Sequence, residues 1–206
     1  MNKSPERTDA TKEALRAAFW KLYTIKPINR ITIKAITDAA GYNRGTFYRY
    51  YLDVYDILDE IETEILCQFD TRFAQISEQA TAMDMLSIIK HTLTPCQIYN
   101  SYLAVLLGAN GDMRFQTQLK DKAKALLSEQ ITKRYGKLEG DGEYCLEFCV
   151  SGLLSCTQMW YERGQDVDIH DYISTMYRIL AEPLGIFSDD LKSDMSEKLM
   201  ERRLKL

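Results

Sequence analysis

The residues of this chain predict an all-α fold, and three observations carry that expectation. Apolar residues recur at spacings of three and four over long stretches, the period of a buried helix face. Proline is scarce, four in 206 residues, so long helices meet few breaks. No run of Val, Ile and Thr alternates cleanly enough to form a strand. With 46% hydrophobic and 27% charged residues, the composition is that of an ordinary soluble globular protein. It suffices for one large domain or two small ones with a substantial core.

The first eight residues are polar and read as an arm. Thr8 or Asp9 can cap a helix running to about Thr24, with Leu15, Phe19 and Leu22 as its buried stripe. Pro27 ends it, and Asn29 is the residue of the 25–31 connection best suited to a left-handed conformation. From Thr32 to Tyr51 the chain reads as two short helices joined by a tight turn. Thr32 caps the first, whose apolar face is Ile33, Ile36 and Ala40. Gly41 supplies the turn, because a residue without Cβ adopts positive φ at little cost. Asn43 caps the second helix, on which Phe47 and Tyr51 share one face. Arg44, Thr46, Tyr48, Arg49 and Tyr50 offer donors over much of the rest. Such a pair is a helix-turn-helix, its second helix sized for a DNA major groove.

Asp53 is the expected cap of a fourth helix reaching about Glu78. Ile57, Ile61, Ile65, Phe69, Phe73 and Ile76 form its apolar stripe. Residues 82–93 are amphipathic, and Thr94-Pro95 opens a helix over 95–107. Gly108, Asn110 and Gly111 break it; Asp112 caps a helix over about 112–135, ending at Gly136. The loop G-K-L-E-G-D-G precedes two last helices, about 141–163 and 168–182, with Pro183 and Gly185 beyond. Cys145, Cys149, Gly152, Ser155 and Cys156 give the first of these a run of small residues. Ile169, Tyr172, Ile173, Met176, Tyr177 and Leu180 give the second more apolar groups than one narrow face needs. Excess apolar surface there suggests a partner chain, and self-complementary contact is what a two-fold dimer requires. Cys149, Gly152, Cys156, Tyr172 and Met176 are the candidate dimer-interface residues. In residues 188–206, Leu191, Met195 and Leu199 mark a possible amphipathic helix in a tail that is either docked or disordered.

Charge divides unevenly. The net charge is −4, yet residues 1–52 carry ten basic against four acidic residues, a net of +6, leaving −10 for the remainder. A basic head on an acidic body is the split expected when one end approaches phosphates. The N-terminus lacks an apolar signal region and no stretch has the ~18–20 apolar residues of a membrane span, so a cytoplasmic protein is expected. The five cysteines include no C-x-x-C and the two histidines are isolated, so reduced, packed thiols are expected rather than a metal or redox site. No phosphate loop, nucleophile elbow or H-E-x-x-H occurs. No enzyme activity, cofactor or metal is expected.

The string A-A-G-Y-N-R-G-T-F-Y-R-Y-Y resembles the DNA-binding domain of the TetR/AcrR family of bacterial transcriptional regulators, whose usual form is A-G-V-S-x-G-T-x-Y-x-Y-F. The resemblance covers roughly residues 9–60 and beyond that is architectural. It implies a helix-turn-helix DNA-binding domain over 1–52, an effector-binding and dimerisation domain over 53–187, and about nine helices in all. It implies a homodimer on a palindromic double-stranded DNA operator, acting as a repressor released by a small-molecule effector. By that likeness Thr32, Asn43, Thr46, Tyr48 and Tyr50 contact phosphates, while Lys34, Arg44 and Arg49 meet base edges or backbone. Arg44 is the first choice for reading guanine, through its planar fork. Tyr102, Phe115 and Trp160 lie on helices that surround the effector pocket in the family. Two positions depart from the pattern. Thr37 replaces a usual Ala, so its hydroxyl needs a partner, and Val54 replaces a lysine that contacts a phosphate in many relatives. Alternatives are an activator, a regulator controlled by a protein partner, or a helical ligand-binding protein that has lost DNA binding.

Overall fold

A computed structural model describes residues 5–79, 99–108, 111–136 and 140–181. The amphipathic stretch 82–93, the expected helix start at Thr94-Pro95 and the tail 188–206 lie outside the described residues. Among the described residues the chain is all-helical, with eight α-helices and one short 3-10 turn. They are α1 (Pro5–Tyr23), α2 (Ile33–Ala40), α3 (Arg44–Phe47), α4 (Val54–Gln79), α5 (Asn100–Leu106), α6 (Met113–Tyr135), α7 (Gly142–Glu162) and α8 (Ile169–Ala181).

The chain folds as two compact units. The first comprises Met1–Thr71 and Tyr99–Leu119. It buries Leu15, Phe19 and Tyr23 of α1, Ile36 of α2, Phe47 of α3 and Ile57, Leu58 and Ile61 of α4. Each short helix has one apolar face, and α4 supplies the long complementary one. That is why the packing unit runs on past residue 52, where the motif places the end of the head. The second unit comprises Arg72–Ile98 and Lys120–Leu206. It buries Phe73 and Ile76, Leu126, Leu127 and Ile131 of α6, Leu146, Val150 and Leu153 of α7 and Ile173 of α8.

The stripe read along α4 is buried throughout, from Ile57 at 0% exposure to Phe73 at 8%. Asp53 caps α4 as expected: its Oδ1 accepts the N–H groups of Tyr55 at 2.8 Å and Asp56 at 3.0 Å. Asp56 reaches back to accept the Leu52 N–H at 2.8 Å, so both carboxylates serve the orphan donors of one helix start.

Two local expectations are corrected. α1 begins at Pro5 rather than Thr8 or Asp9, in keeping with the preset φ of proline at a first helical position. Asn29 is not left-handed. Pro27 instead starts a 3-10 turn over Ile28–Arg30, closed by Arg30 N–H to Pro27 O at 3.0 Å and Ile31 N–H to Ile28 O at 2.9 Å. At the other end of the chain, α7 closes with Gly164 at φ +69° and Gln165 at φ +61°, the one non-glycine residue with positive φ among those described.

Candidate nucleic-acid interface

Five hydrogen bonds fix α2, the turn after it and the start of α3. Thr32 Oγ1 accepts the Ala35 N–H at 3.2 Å and starts α2. Gly41, at φ +74° and ψ +29°, ends it. The Tyr42 N–H reaches back to Thr37 O at 2.9 Å and the Gly41 N–H to Asp38 O at 3.4 Å, the paired bonds of a Schellman motif. Asn43 Oδ1 then accepts both the Thr46 N–H at 2.8 Å and the Thr46 hydroxyl at 3.2 Å. Thr37 is buried, and its hydroxyl donates to the Ile33 and Lys34 carbonyls at 3.0 and 3.1 Å, the partners a mid-helix threonine requires.

α3 is shorter than the sequence reading through Tyr51. Its α-helical core is Arg44–Phe47, and the chain then tightens. Arg49 and Tyr50 bond three residues back, to Thr46 O at 3.3 Å and Phe47 O at 2.9 Å, while Tyr51 returns to Phe47 O at 3.1 Å. Phe47 and Tyr51 nonetheless share the buried side, 0% and 3% exposed, with ring centroids 5.8 Å apart. Arg44, Tyr48 and Arg49 are exposed, Tyr48 to 59%, and Thr46 and Tyr50 are half-buried. Thr32 and Asn43 are exposed as well. Thr32 and Lys34 belong to the first turn of α2, whereas Asn43, Arg44, Thr46, Tyr48, Arg49 and Tyr50 fall on or beside one short exposed element, α3. Its two arginines make no ion pair among the described residues.

Three other cations of the basic head are engaged within the first unit. Lys34 pairs with Asp38 at 2.6 Å, one turn along α2. Lys12 pairs with Glu60 at 2.5 Å and lies 5.7 Å from the centroid of the Tyr51 ring. Arg16 meets Glu64 at 2.5 Å and Glu60 at 3.6 Å. Tyr51 donates its hydroxyl to Glu60 Oε1 at 3.3 Å, and burial together with Glu60 pushes that phenol's pKa up. These α1–α4 pairs, 48 residues apart in the case of Arg16 and Glu64, tie the first helix to the fourth and so set the frame that holds α2 and α3.

The residues suggested for a pocket are divided between the two units. In the first unit, Tyr102 is half-buried against Trp20, with centroids 4.4 Å apart, and Phe115 is fully buried. In the second unit, Trp160 holds the corner between α7 and α8. Its Nε1–H donates to Val167 O at 2.8 Å and its ring stacks on Tyr172 at 5.1 Å. The second unit also has an open groove of about 520 Å³ between α6 and α7, lined by Asp121, Lys124, Ser128 and Glu143 among others. None of the three aromatics lines it.

The candidate dimer-interface residues differ in exposure within the subunit. Cys149, Tyr172 and Met176 are buried within the subunit, at 3%, 6% and 7% exposure. The Tyr172 hydroxyl is 2.7 Å from Thr157 Oγ1. Gly152 and Cys156 are half-buried. The exposed apolar groups of these helices are instead Tyr144, Phe148 and Met159 on α7 and Ile179 on α8. Tyr144 and Phe148 stand four apart, a helical spacing the sequence reading passed over. Among the described residues no cluster of His, Cys, Asp and Glu is placed to hold a metal ion, and no helix is long and apolar enough to cross a membrane.

The fold and the exposed second helix define a helix-turn-helix protein of the all-α class. Residues 84–182 match the family model TetR_C_8, a transcriptional regulator C-terminal region. The fold is similar to that of a TetR transcriptional regulator from Streptococcus agalactiae 2603V, with a TM-score of 0.63 and 18% identity over 85% of this chain and 96% of that one. It is also similar to the fatty acid degradation regulator FadR from Bacillus halodurans, with a TM-score of 0.60 and 18% identity over 87% and 96%.

Proposed function

We propose that this chain is a transcriptional regulator of the TetR family that binds a palindromic DNA operator as a homodimer, represses from it, and is released by a small-molecule effector. One observation carries the DNA-binding reading. Gly41 and Asn43 turn the chain so that Phe47 and Tyr51 are buried while Arg44, Tyr48 and Arg49 stand exposed. A short helix that shows guanidinium and phenol groups to solvent suits a major groove: hydroxyls and amides meet phosphates, and an arginine fork meets guanine. Thr32, Asn43, Thr46, Tyr48 and Tyr50 are assigned to the backbone, and Lys34, Arg44 and Arg49 to base edges or backbone. Lys34 must exchange its Asp38 partner for DNA to serve there. Asn43 has its carbonyl oxygen occupied by Thr46, which leaves its amide N–H groups for a phosphate.

Dimerisation is assigned to α7 and α8, whose exposed Tyr144, Phe148, Met159 and Ile179 need cover. Residues 1–52 serve as the reading head, and 53–187 as the part that pairs and senses. Val54, half-buried at the first position of α4, offers no cation to a phosphate. The salt dependence of binding is accordingly shallower by close to one contact per subunit than with a lysine there. The test is a gel shift with the DNA flanking the gene, beside sedimentation of the free protein. Sequence-selective retardation by a dimer is the expected result. Equal affinity for any duplex, or a monomer at micromolar concentration, refutes the proposal.

A further inference from the structure

One group in the first unit has no role in the DNA-binding surface. Glu62 lies on α4 at 4% exposure, and its Oε1 has no hydrogen-bond partner. A buried, ionised carboxylate in that condition is heavily penalised. Three elements surround it among the described residues. From α1 comes Tyr23, 1% exposed and stacked on Phe19 with centroids 5.5 Å apart. From α4 itself comes Asp59. From the start of α6 come Asp112 and Arg114. The Arg114 cation is already engaged: its Nε and Nη2 donate to Asp112 Oδ2 at 3.1 and 2.8 Å, and its backbone N–H donates to Asp112 Oδ1 at 2.7 Å. Burial works against ionisation of Asp112, but these bonds outweigh it and hold its pKa below the usual value. Glu62 therefore faces a committed anion, a second carboxylate and a phenol, with no counter-ion of its own. The three carboxylates do not form a metal site.

We propose that Glu62 is a proton-controlled latch joining the end of α1, α4 and the 112–114 corner: neutral, it lets the three pack together; ionised, it loosens them. Burial first, then Asp112, pushes the Glu62 pKa up to about 8, with Asp59 adding to the rise and Arg114 opposing it. The sign follows from that rise. Glu62 contributes most favourably below the ordinary glutamate value of 4.5. Its contribution falls as pH rises and the unfolded chain ionises, then levels off once the folded carboxyl has ionised too, above about pH 8. The charge that opens the latch thus appears within the span of pH a cell can experience.

Carbon-13 NMR of the side-chain carboxyl reads the proton on the full chain. A midpoint near 8 is expected; one at the ordinary glutamate value overturns the proposal. Hydrogen exchange, expressed as protection relative to intrinsic rates, reads the latch. In the wild type, protection at the end of α1 and at 112–116 drops several-fold between about pH 5 and 8 and is level above that. In Glu62→Gln, which is neutral at every pH, it stays level. Equal drops in both proteins, or none in either, overturn the proposal. Asp59→Asn covers the case in which Glu62→Gln does not fold. Removing that exposed charge moves the Glu62 midpoint down and carries the loss of protection with it, and an unmoved loss refutes the link.

Discussion

Replacing Gly41 by alanine isolates the backbone cost of the turn that presents α3. Gly41 sits at φ +74°, and a Cβ built there meets no atom within 4 Å. Steric clash therefore contributes nothing, and the whole effect is conformational. Holding an L-residue in the left-handed region costs about 1–2 kcal/mol. Alanine recovers part of this by restricting the unfolded chain, by about 0.4–1 kcal/mol. The net loss is about 1 kcal/mol, or about 2–4 °C in melting temperature for a chain of this length. Gly41→Asn loses less, because the short amide tolerates that region. Thermal and urea denaturation of the three proteins give the ordering glycine, asparagine, alanine. Alanine equal to the wild type would show that the turn is not held at positive φ, and the Tyr42-to-Thr37 return bond would fall with it.

Asn43→Ala removes both bonds to Thr46 and costs about 0.5–2 kcal/mol of stability, read by the same denaturation; a neutral result means the cap is not formed in solution. Arg44→Ala weakens operator binding by about 1–3 kcal/mol and relaxes preference at one base position, measured by binding to a randomised site library; an unchanged base profile removes Arg44 as a reader. Tyr48→Phe weakens all sequences nearly equally in the same assay, because a hydroxyl on phosphate carries no base identity; loss confined to one base contradicts that role. Glu147 is held at about 2 by hydrogen bonds from Lys120, Lys124 and Ser151. Its stabilising share is complete above the ordinary glutamate value and is lost as pH falls toward 2. Glu147→Gln lacks that portion of the acid slope, so melting curves of the two proteins that stay parallel from pH 5 to about 2.5 refute the assignment.

The parts of this fold that depend on local chemistry were legible in the sequence. The α4 stripe, the caps at Thr32, Asn43 and Asp53 and the turn at Gly41 each need only neighbours within four residues. The shortening of α3 was not legible, because R-G-T-F-Y-R-Y-Y places polar and aromatic groups all round and carries no period that marks a tighter turn. The pairing of Lys12 and Arg16 with Glu60 and Glu64 was invisible for another reason, since only the fold brings α1 to α4. Burial of Cys149, Tyr172 and Met176 likewise depends on which face α7 and α8 turn toward the core. Small and aromatic residues suit a core and a partner equally well. Glu62 did leave a trace: it stands four residues from both Leu58 and Leu66, inside the apolar face.

The clamp between α1 and α4 has a practical bearing on salt titrations. Arg16 keeps 16% of its side chain exposed, and partly buried pairs are screened far less than phosphate contacts on an open surface. Raising ionic strength should strip counter-charge from the duplex long before it unfastens this seam. The slope of log affinity against log salt then measures displaced cations rather than a reading module coming loose from its scaffold. It should also be gentler than the ten basic residues of the first quarter of the chain suggest, since Lys12 and Arg16 are occupied at home.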